Sequence, residues 1–241
     1  MGITVGMDIT DTLGTLVTID TGFGSINMSA DGRADSALDK VDGSTACFGL
    51  YYCASAYNSS YRDGDAQSGN SIGYVSPSIN GFTIQATIGE ETSLDVNSTN
   101  SLGITGSIAG VTVKAGMADI DYDQGGVGIR NGSSETDRTT SMYAVGYSIA
   151  GLDLGYAFYD SDDTASSEET QYGVGTSVMG MYVGAQFGAH DTTGNDTDYM
   201  TLSAIKSMGA ASFSYEYIEV DEAGGTANDS DTHLVAYSIG F

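Results

Sequence analysis

The sequence predicts a single all-β domain over residues 1–241, folded as an antiparallel up-and-down barrel. Apolar residues alternate with Gly, Ser, Thr or acidic residues along many segments, and a period of two is typical of strands. Short connections alternate with long polar ones, as the consecutive hairpins of such a barrel require. One face of each predicted strand is small and polar, which indicates a wet interior.

Individual segments show the alternation clearly. Leu152, Leu154, Tyr156 and Phe158 share one face of a predicted strand, and Asp153, Gly155, Ala157 and Tyr159 share the other. In all we predict about 14 strands, at 2–11, 13–20, 24–29, 70–77, 82–90, 100–108, 111–121, 139–148, 152–160, 170–178, 181–190, 197–206, 211–220 and 231–241.

The connections between these strands fall into two classes. The short ones are 78–81, 109–110, 149–151 and 179–180, and the long acidic ones are 91–100, 122–138, 160–169, 190–196 and 220–230. The interval 30–69 is an exception, because it is long and has no clear alternation. A loop of this length inside a compact domain needs a functional reason.

The charge balance narrows the possible partners. The chain has 32 acidic and 7 basic residues, for a net charge of −25. Nucleic acid is excluded as a partner, because its phosphates would be repelled. The same excess is compatible with solubility, halophilic solvation, calcium binding or a surface that attracts cations.

The apolar faces could pack in a soluble sandwich or could meet lipid in a membrane barrel. Long, evenly spaced strands, Tyr and Phe near strand ends, and a small polar opposite face favour lipid. The last strand ends with Tyr237, Ile239 and Phe241 on one face. This ending resembles the assembly signal of bacterial outer-membrane barrels.

Several segments resemble one family. They are 69–82 (GNSIGYVSPSINGF), 21–28 (TGFGSINM), 34–39 (ADSALD) and 151–156 (GLDLGY). Together they are similar to the trimeric general porins of Gram-negative bacteria, particularly the alphaproteobacterial type. The resemblance implies a multi-pass outer-membrane channel for passive diffusion of small hydrophilic solutes. It also implies a homotrimer in contact with outer-membrane lipid and lipopolysaccharide.

The family usually has sixteen strands, and residues 2–10 resemble its third strand. We therefore expect a 16-stranded porin-type barrel of which about two N-terminal strands precede this sequence, with a 14-stranded barrel as the alternative. The partner that closes the barrel against the last strand would then lie upstream of Met1.

The resemblance also implies that residues 30–69 fold inward as a constriction loop, with a solvated surface loop as the alternative. The acidic candidates in that segment are Asp31, Asp35, Asp39, Asp42, Asp63 and Asp65, and Lys114 is the best basic candidate on the lumen face. Asp8, Asp153 and Glu216 also fall on that face. Because carboxylates in a pore attract cations and exclude anions, we expect a preference for cations.

Two cysteines lie close together in the same segment. Cys47 and Cys53 predict a small disulfide loop, which would stiffen the constriction loop, and two reduced thiols are the alternative. Asp119, Asp121 and Asp123 are candidate calcium ligands, although they do not follow the EF-hand pattern. No cofactor is required by the predicted function, and calcium is an optional ligand.

No catalytic constellation is visible in the sequence. The two histidines, His190 and His233, are expected at a lumen or rim position, and no nucleophile elbow, phosphate loop or zinc spacing is present. We therefore predict a channel rather than an enzyme. The alternatives are a structural or adhesive outer-membrane barrel whose acidic loops bind surface partners, and a soluble acidic β-protein.

Overall fold

The protein is a single antiparallel sheet of fourteen strands that follow one another in chain order. The computed structural model describes residues 2–8, 14–29, 70–90, 96–122, 137–162, 167–192, 195–222 and 229–239. Every neighbouring pair of strands is antiparallel. This arrangement confirms the predicted up-and-down fold class.

All fourteen predicted strands are present, with ends shifted by a few residues. They are β1 (Gly2–Asp8), β2 (Gly14–Thr21), β3 (Gly24–Ser29), β4 (Ser71–Val75), β5 (Phe82–Glu90), β6 (Val96–Ile108), β7 (Val111–Tyr122), β8 (Arg138–Ile149), β9 (Leu152–Ser161), β10 (Ser167–Val178), β11 (Met181–Thr192), β12 (Asn195–Met208), β13 (Ala211–Glu222) and β14 (Ser230–Ile239). Strands β5 to β14 are long enough for tilted membrane strands.

Tight turns join the strands at one end of the sheet, which we call the turn end. Four of these turns have two consecutive residues with positive φ: Asn80 and Gly81, Ala109 and Gly110, Ala150 and Gly151, Met179 and Gly180. Two positive φ values are the mark of the type I′ turn, whose twist matches that of the adjoining strands. The opposite end, where the longer connections lie, is the loop end.

One predicted long connection is wrong. We expected a loop at 190–196, but β11 and β12 remain paired as far as Thr192 and Asn195. The segment 160–169 is also shorter than expected as a connection, because Ser167 already pairs with Ser161 and Glu169 lies within β10. Polar residues therefore continue the ladder at the loop end instead of interrupting it.

The two faces of the sheet have opposite chemistry, and the polar face is the buried one. Side chains that are buried on the inner face include Ser71, Thr87, Ser101, Thr140, Gln171, Gln186, Thr201 and Glu216. Large apolar side chains that are exposed on the outer face include Ile72, Ile88, Leu102, Tyr143, Val145, Tyr172, Phe187, Leu202 and Val235. A water-soluble sheet would bury its apolar face, so this inverted pattern is the one that a lipid-facing barrel requires.

Aromatic side chains lie on the outer face toward the turn end, among them Tyr74, Phe82, Tyr147, Phe213 and Tyr237. The Tyr74 hydroxyl donates to the carbonyl oxygen of Phe23 at 2.6 Å, so that the ring of β4 is tied to the β2–β3 turn. Aromatic girdles of this kind mark the membrane–water interfaces of outer-membrane barrels. No helix in the described ranges is long and apolar enough to cross a membrane.

Candidate functional site

Among the inner-wall side chains that the structure describes, carboxylates outnumber basic groups. Of the side chains that the structure describes there, four are carboxylates and one is a lysine: Asp20, Asp153, Glu169, Glu216 and Lys114. Lys114 lies half-buried on β7, opposite Thr105 of β6 and Ala144 of β8. Its inward position agrees with the expectation from the sequence. The side chain of Asp8, which was also expected to face inward, lies outside the described part.

A chain of hydrogen bonds crosses the inner wall from β11 to β10. The Gln186 amide Nε2 donates to Gln171 Oε1 at 3.1 Å, and the Gln171 Nε2 donates to Glu169 Oε1 at 2.6 Å. All three side chains are buried. Because a buried carboxylate is stable only when hydrogen bonds replace its water shell, this chain holds the negative charge of Glu169 in place.

Tyr199 on β12 is a further donor to Glu169 Oε1, although a whole strand separates the two. The phenol crosses that gap because its ring lies over Gly188 on β11. A Cβ atom added at Gly188 would stand 2.1 Å from Tyr199 Cζ. His190, which is also buried, is the direct cross-strand partner of Glu169.

Asp153 anchors a second polar group nearer the turn end. Its Oδ1 accepts a hydrogen bond from Ser148 Oγ at 2.6 Å, and its Oδ2 accepts one from Tyr182 at 2.8 Å. The three residues lie on neighbouring parts of the inner wall, on β9, β8 and β11. Two hydroxyl donors therefore orient a half-buried carboxylate toward this end of the lumen.

The predicted constriction residues lie outside the described ranges. These are Asp31, Asp35, Asp39, Asp42, Asp63 and Asp65, together with the predicted disulfide pair Cys47 and Cys53. The constriction loop at 30–69 and the disulfide therefore stay predictions.

The last strand has the outward-facing residues that the sequence indicated. Tyr237 and Ile239 are exposed on the outer face of β14, and Phe241 lies beyond the described residues. The Tyr237 position pairs with Phe213 of β13. An apolar, aromatic outer surface thus continues to the end of the sheet.

The calcium candidates lie on the outer face at the loop end. Asp119 and Asp121 are exposed there, and Asp123 is outside the described part. The Thr139 hydroxyl donates to Asp119 Oδ1 at 2.8 Å. Among described residues, no group of three His, Cys, Asp or Glu side chains could hold a metal ion. Calcium binding therefore stays a prediction.

The outer face at the loop end is an acidic collar. Its described carboxylates include Asp119, Asp121, Asp160, Glu168, Asp191, Asp196, Asp198, Glu219, Asp221 and Asp231. Several face each other directly across strands, such as Asp191 and Asp196, or Asp198 and Asp221. His233 lies in this region on β14, where its Nδ1 is 2.8 Å from the Tyr215 hydroxyl.

Sequence reasoning missed the network around Glu169. We assigned Glu169 to a loop and counted tyrosines mainly with the lipid-facing residues, whereas Tyr199 is buried on the inner wall. The alternation along β12 indicates that Tyr199 faces inward. It shares one face with the polar residues Thr197, Thr201 and Ser203, whereas Leu202 lies on the outward face. The partner of Tyr199 depends on strand register, which this alternation does not specify.

An inverted sheet with a polar, acidic inner wall defines the chain as an outer-membrane β-barrel channel. Residues 8–240 match the family model of the Gram-negative porins. The chain belongs to this family, and it forms a channel in the bacterial outer membrane rather than an enzyme. No curated protein sequence matches it significantly.

Solved structures agree on the fold. A porin structure refined at 1.8 Å is 16% identical, with a TM-score of 0.64, and the match covers 98% of this chain and 89% of that one. OmpT, an outer membrane protein of Vibrio cholerae, is 17% identical, with a TM-score of 0.62 and coverages of 93% and 78%. An anion-selective porin from Comamonas acidovorans is 13% identical, with a TM-score of 0.63 and coverages of 87% and 67%.

Proposed function

We propose that this porin is a cation-preferring diffusion pore for small hydrophilic solutes and ions. The observation that carries the proposal is the charge of the inner wall, where the described side chains include four carboxylates and one lysine. Low-dielectric walls focus the field of such charges into the water-filled lumen. A carboxylate-rich lumen then concentrates cations and repels anions.

The fold itself does not decide ion preference. The similar structure from Comamonas acidovorans is that of an anion-selective porin, so one barrel architecture serves pores of different selectivity. Ion selectivity depends on the side chains that line the wall of the pore. For this chain, Asp153 on β9 and Glu216 on β13 place carboxylates on the inner wall, and Lys114 lies on the same wall on β7.

We propose further that residues 30–69 fold into the lumen and narrow it, with Asp31, Asp35, Asp39, Asp42, Asp63 and Asp65 contributing to the constriction. The distribution of burial on the wall supports this. Inner residues such as Ser101, Thr140 and Gln171 are buried toward the loop end, whereas Asp20 and Ser148 near the turn end are exposed. Segment 30–69 connects β3 to β4 at the loop end, where an inward fold would cover this part of the wall.

The assembly that we propose is a homotrimer, by analogy with the family. The acidic collar would lie at the level of the lipopolysaccharide phosphates, because long connections of outer-membrane barrels are external. Calcium held by Asp119, Asp121 and Asp123 would reduce the repulsion between collar and phosphate. This role for calcium belongs to the proposal and is tested separately from selectivity.

Reversal potentials in planar bilayers test the main proposal. Under a KCl gradient, the purified protein is expected to show a reversal potential of the sign that denotes potassium preference. A preference for chloride would overturn the proposal. Single-channel steps in groups of three would support the trimer, and a sealed lumen without conductance would favour the structural or adhesive barrel.

A further inference from the structure

The Tyr182 side chain lies along the inner wall instead of standing out from it. Its hydroxyl, on β11, donates to Asp153 Oδ2 on β9 at 2.8 Å, although β10 separates the two strands. Because neighbouring strands are about 4.7–4.9 Å apart, the phenol and the carboxylate together span about 10 Å of the wall. Gly175, which stands opposite Asp153 on β10, is buried and has no side chain to obstruct the ring.

The ring crosses the wall in a part of the lumen that solvent reaches. Tyr182 and Asp153 are only half-buried. Ser148, the cross-strand partner of Asp153, is exposed, and so is Ser177, the partner of Tyr182 on β10. One side of a ring in this position rests against β10, so its exposed surface is the side that faces the lumen. That side is open to a permeating solute.

The polar atoms around the ring can accept hydrogen bonds but have few hydrogens to donate. The hydroxyls of Tyr182 and Ser148 both donate to the Asp153 carboxylate, at 2.8 and 2.6 Å. A hydroxyl has one hydrogen and two lone pairs, and a carboxylate accepts about four hydrogen bonds. The carboxylate and both hydroxyl oxygens therefore keep acceptor capacity for a ligand, whereas the two hydroxyl hydrogens are already used.

These properties favour an organic cation as the ligand. An ammonium group brings the N–H donors that the two hydroxyls no longer supply, and the negative charge of Asp153 attracts it. The face of a tyrosine ring also attracts cations through its quadrupole. An alkyl chain on the cation covers apolar ring surface, which a bare metal ion does not. An anion is repelled by the carboxylate, and a neutral sugar gains nothing from its charge.

We propose that Tyr182 and Asp153 form a platform on the lumen wall that binds small organic ammonium ions as they pass through the pore. The ring contacts the alkyl part and the cationic centre, and the carboxylate accepts from the N–H groups. This inference rests on the proposed cation preference, which brings such ions into the lumen, and it names a class of solute. An ammonium ion that stays on the platform obstructs the potassium current.

Block of the single-channel KCl conductance by butylammonium chloride tests the platform in the whole reconstituted protein. The wild-type conductance is expected to fall as butylammonium is added and then to level off when the platform is full. Tyr182→Leu and Asp153→Asn are each expected to raise the half-blocking concentration about fivefold, the change expected for loss of one cation–π contact or one charge contact at a solvated site.

Two variants are matched controls, one for the charge and one for the ring. Asp20→Asn removes a carboxylate from the same wall near the turn end, but on β2, where Asp20 accepts from Ser25 at 2.7 Å. Tyr143→Leu removes a tyrosine that is exposed on the outer face of β8. Both variants are expected to keep a half-blocking concentration close to that of the wild type.

The outcomes separate this inference from the proposed function. If potassium preference persists but the butylammonium effect never levels off, or is unchanged in Tyr182→Leu, the platform is wrong and the cation-preferring pore stands. A preference for chloride with an intact, Tyr182-dependent block would overturn the pore proposal alone. A wild-type conductance that falls with glucose but not with butylammonium would mean that the wall binds sugars, which also overturns the platform. The wild-type curves remain decisive where a variant fails to fold.

Discussion

The Tyr199 hydroxyl donates a hydrogen bond to the Glu169 carboxylate across an intervening strand. Cross-strand contacts ordinarily join neighbours, but here β12 reaches β10 because β11 has only a hydrogen atom at Gly188. The inner wall of β10 to β12 is thereby tied by side chains as well as by backbone ladders. The hydrogen bond between Tyr199 and Glu169 therefore requires that residue 188 has no side chain.

Replacing Gly188 is expected to destabilise the barrel. In Gly188→Ala the new methyl group would stand 2.1 Å from Tyr199 Cζ, so the ring must move and its bond to Glu169 is weakened. Overpacking of this kind costs about 1–3 kcal/mol. Urea unfolding of the detergent-folded protein, followed by the electrophoretic shift between folded and unfolded forms, measures the change.

Gly22→Ala is the control for this experiment, because no atom lies within 4 Å of a Cβ added there, apart from those of Gly22 itself and its two chain neighbours. We expect its unfolding midpoint to stay near that of the wild type. An equal loss in both variants would mean that glycine flexibility matters more than the space beneath Tyr199, and our interpretation of the Tyr199–Glu169 pair would be wrong.

Lys114 is expected to limit the cation preference of the pore. Removing its charge in Lys114→Met should raise the ratio of potassium to chloride permeability about fivefold, because a unit charge about 8 Å away in water raises the energy of potassium by about 0.5 kcal/mol and lowers that of chloride by the same amount. The reversal potential in a KCl gradient reports this ratio. The effect should shrink as ionic strength rises.

Lys206→Met serves as the comparison for Lys114→Met. Lys206 lies on the outer face near the turn end, where its Nζ donates to Met179 O at 3.3 Å and Gly180 O at 3.0 Å. Its charge does not face the lumen, so its removal is expected to leave selectivity unchanged. If Lys206→Met changed the reversal potential more than Lys114→Met does, the assignment of Lys114 to the pore lining would be wrong.

The fold could be predicted from the sequence because membrane strands combine two strong signals. Leu154 and Gly155 illustrate them: one must face lipid and its neighbour the lumen, and a period of two follows. Tight turns add a second signal, as at Ala150-Gly151, where the second residue of the turn is Gly. These constraints are local in the chain, so alternation and turn residues together indicate each hairpin.

The site was harder to predict, because its chemistry depends on register and on the loop end. Thr192 and Asn195 have loop-like composition, yet they pair, since polar residues are tolerated where a strand extends past the lipid. Glu169 and Tyr199 are thirty residues apart in the sequence. They meet only because β10, β11 and β12 pair side by side in the sheet. Alternation shows which face a residue occupies and not which residue it meets.

Calcium is expected to stabilise the loop end through Asp119, Asp121 and Asp123. Calcium at about 100 times its dissociation constant would add about 2.7 kcal/mol of stability relative to chelator, so thermal unfolding should shift upward with calcium and downward with chelator. Asp119→Asn should abolish most of that difference. Magnesium at equal concentration tests whether the effect is specific.

Asp231→Asn is the matched control for the calcium experiment, since Asp231 belongs to the same acidic collar but lies on β14. It should retain the calcium-dependent shift. If the unfolding temperature is the same in calcium and in chelator, then Asp119, Asp121 and Asp123 are solvated surface charges. An equal loss of the shift in both variants would point to a diffuse effect of collar charge.

The turns themselves offer a stabilising substitution. Ala150 has a φ of +52° in the β8–β9 turn, a conformation that a Cβ-bearing residue adopts at a cost of about 1–2 kcal/mol and that Asn tolerates better. Ala150→Asn is therefore expected to raise the stability by about 0.5–1 kcal/mol in urea unfolding. Ala210→Asn is the control, because in the β12–β13 turn the positive φ belongs to Gly209 and not to Ala210. A gain at position 210 as large as that at 150 would indicate that added polarity at the turn end, rather than relief of backbone strain, stabilises the barrel.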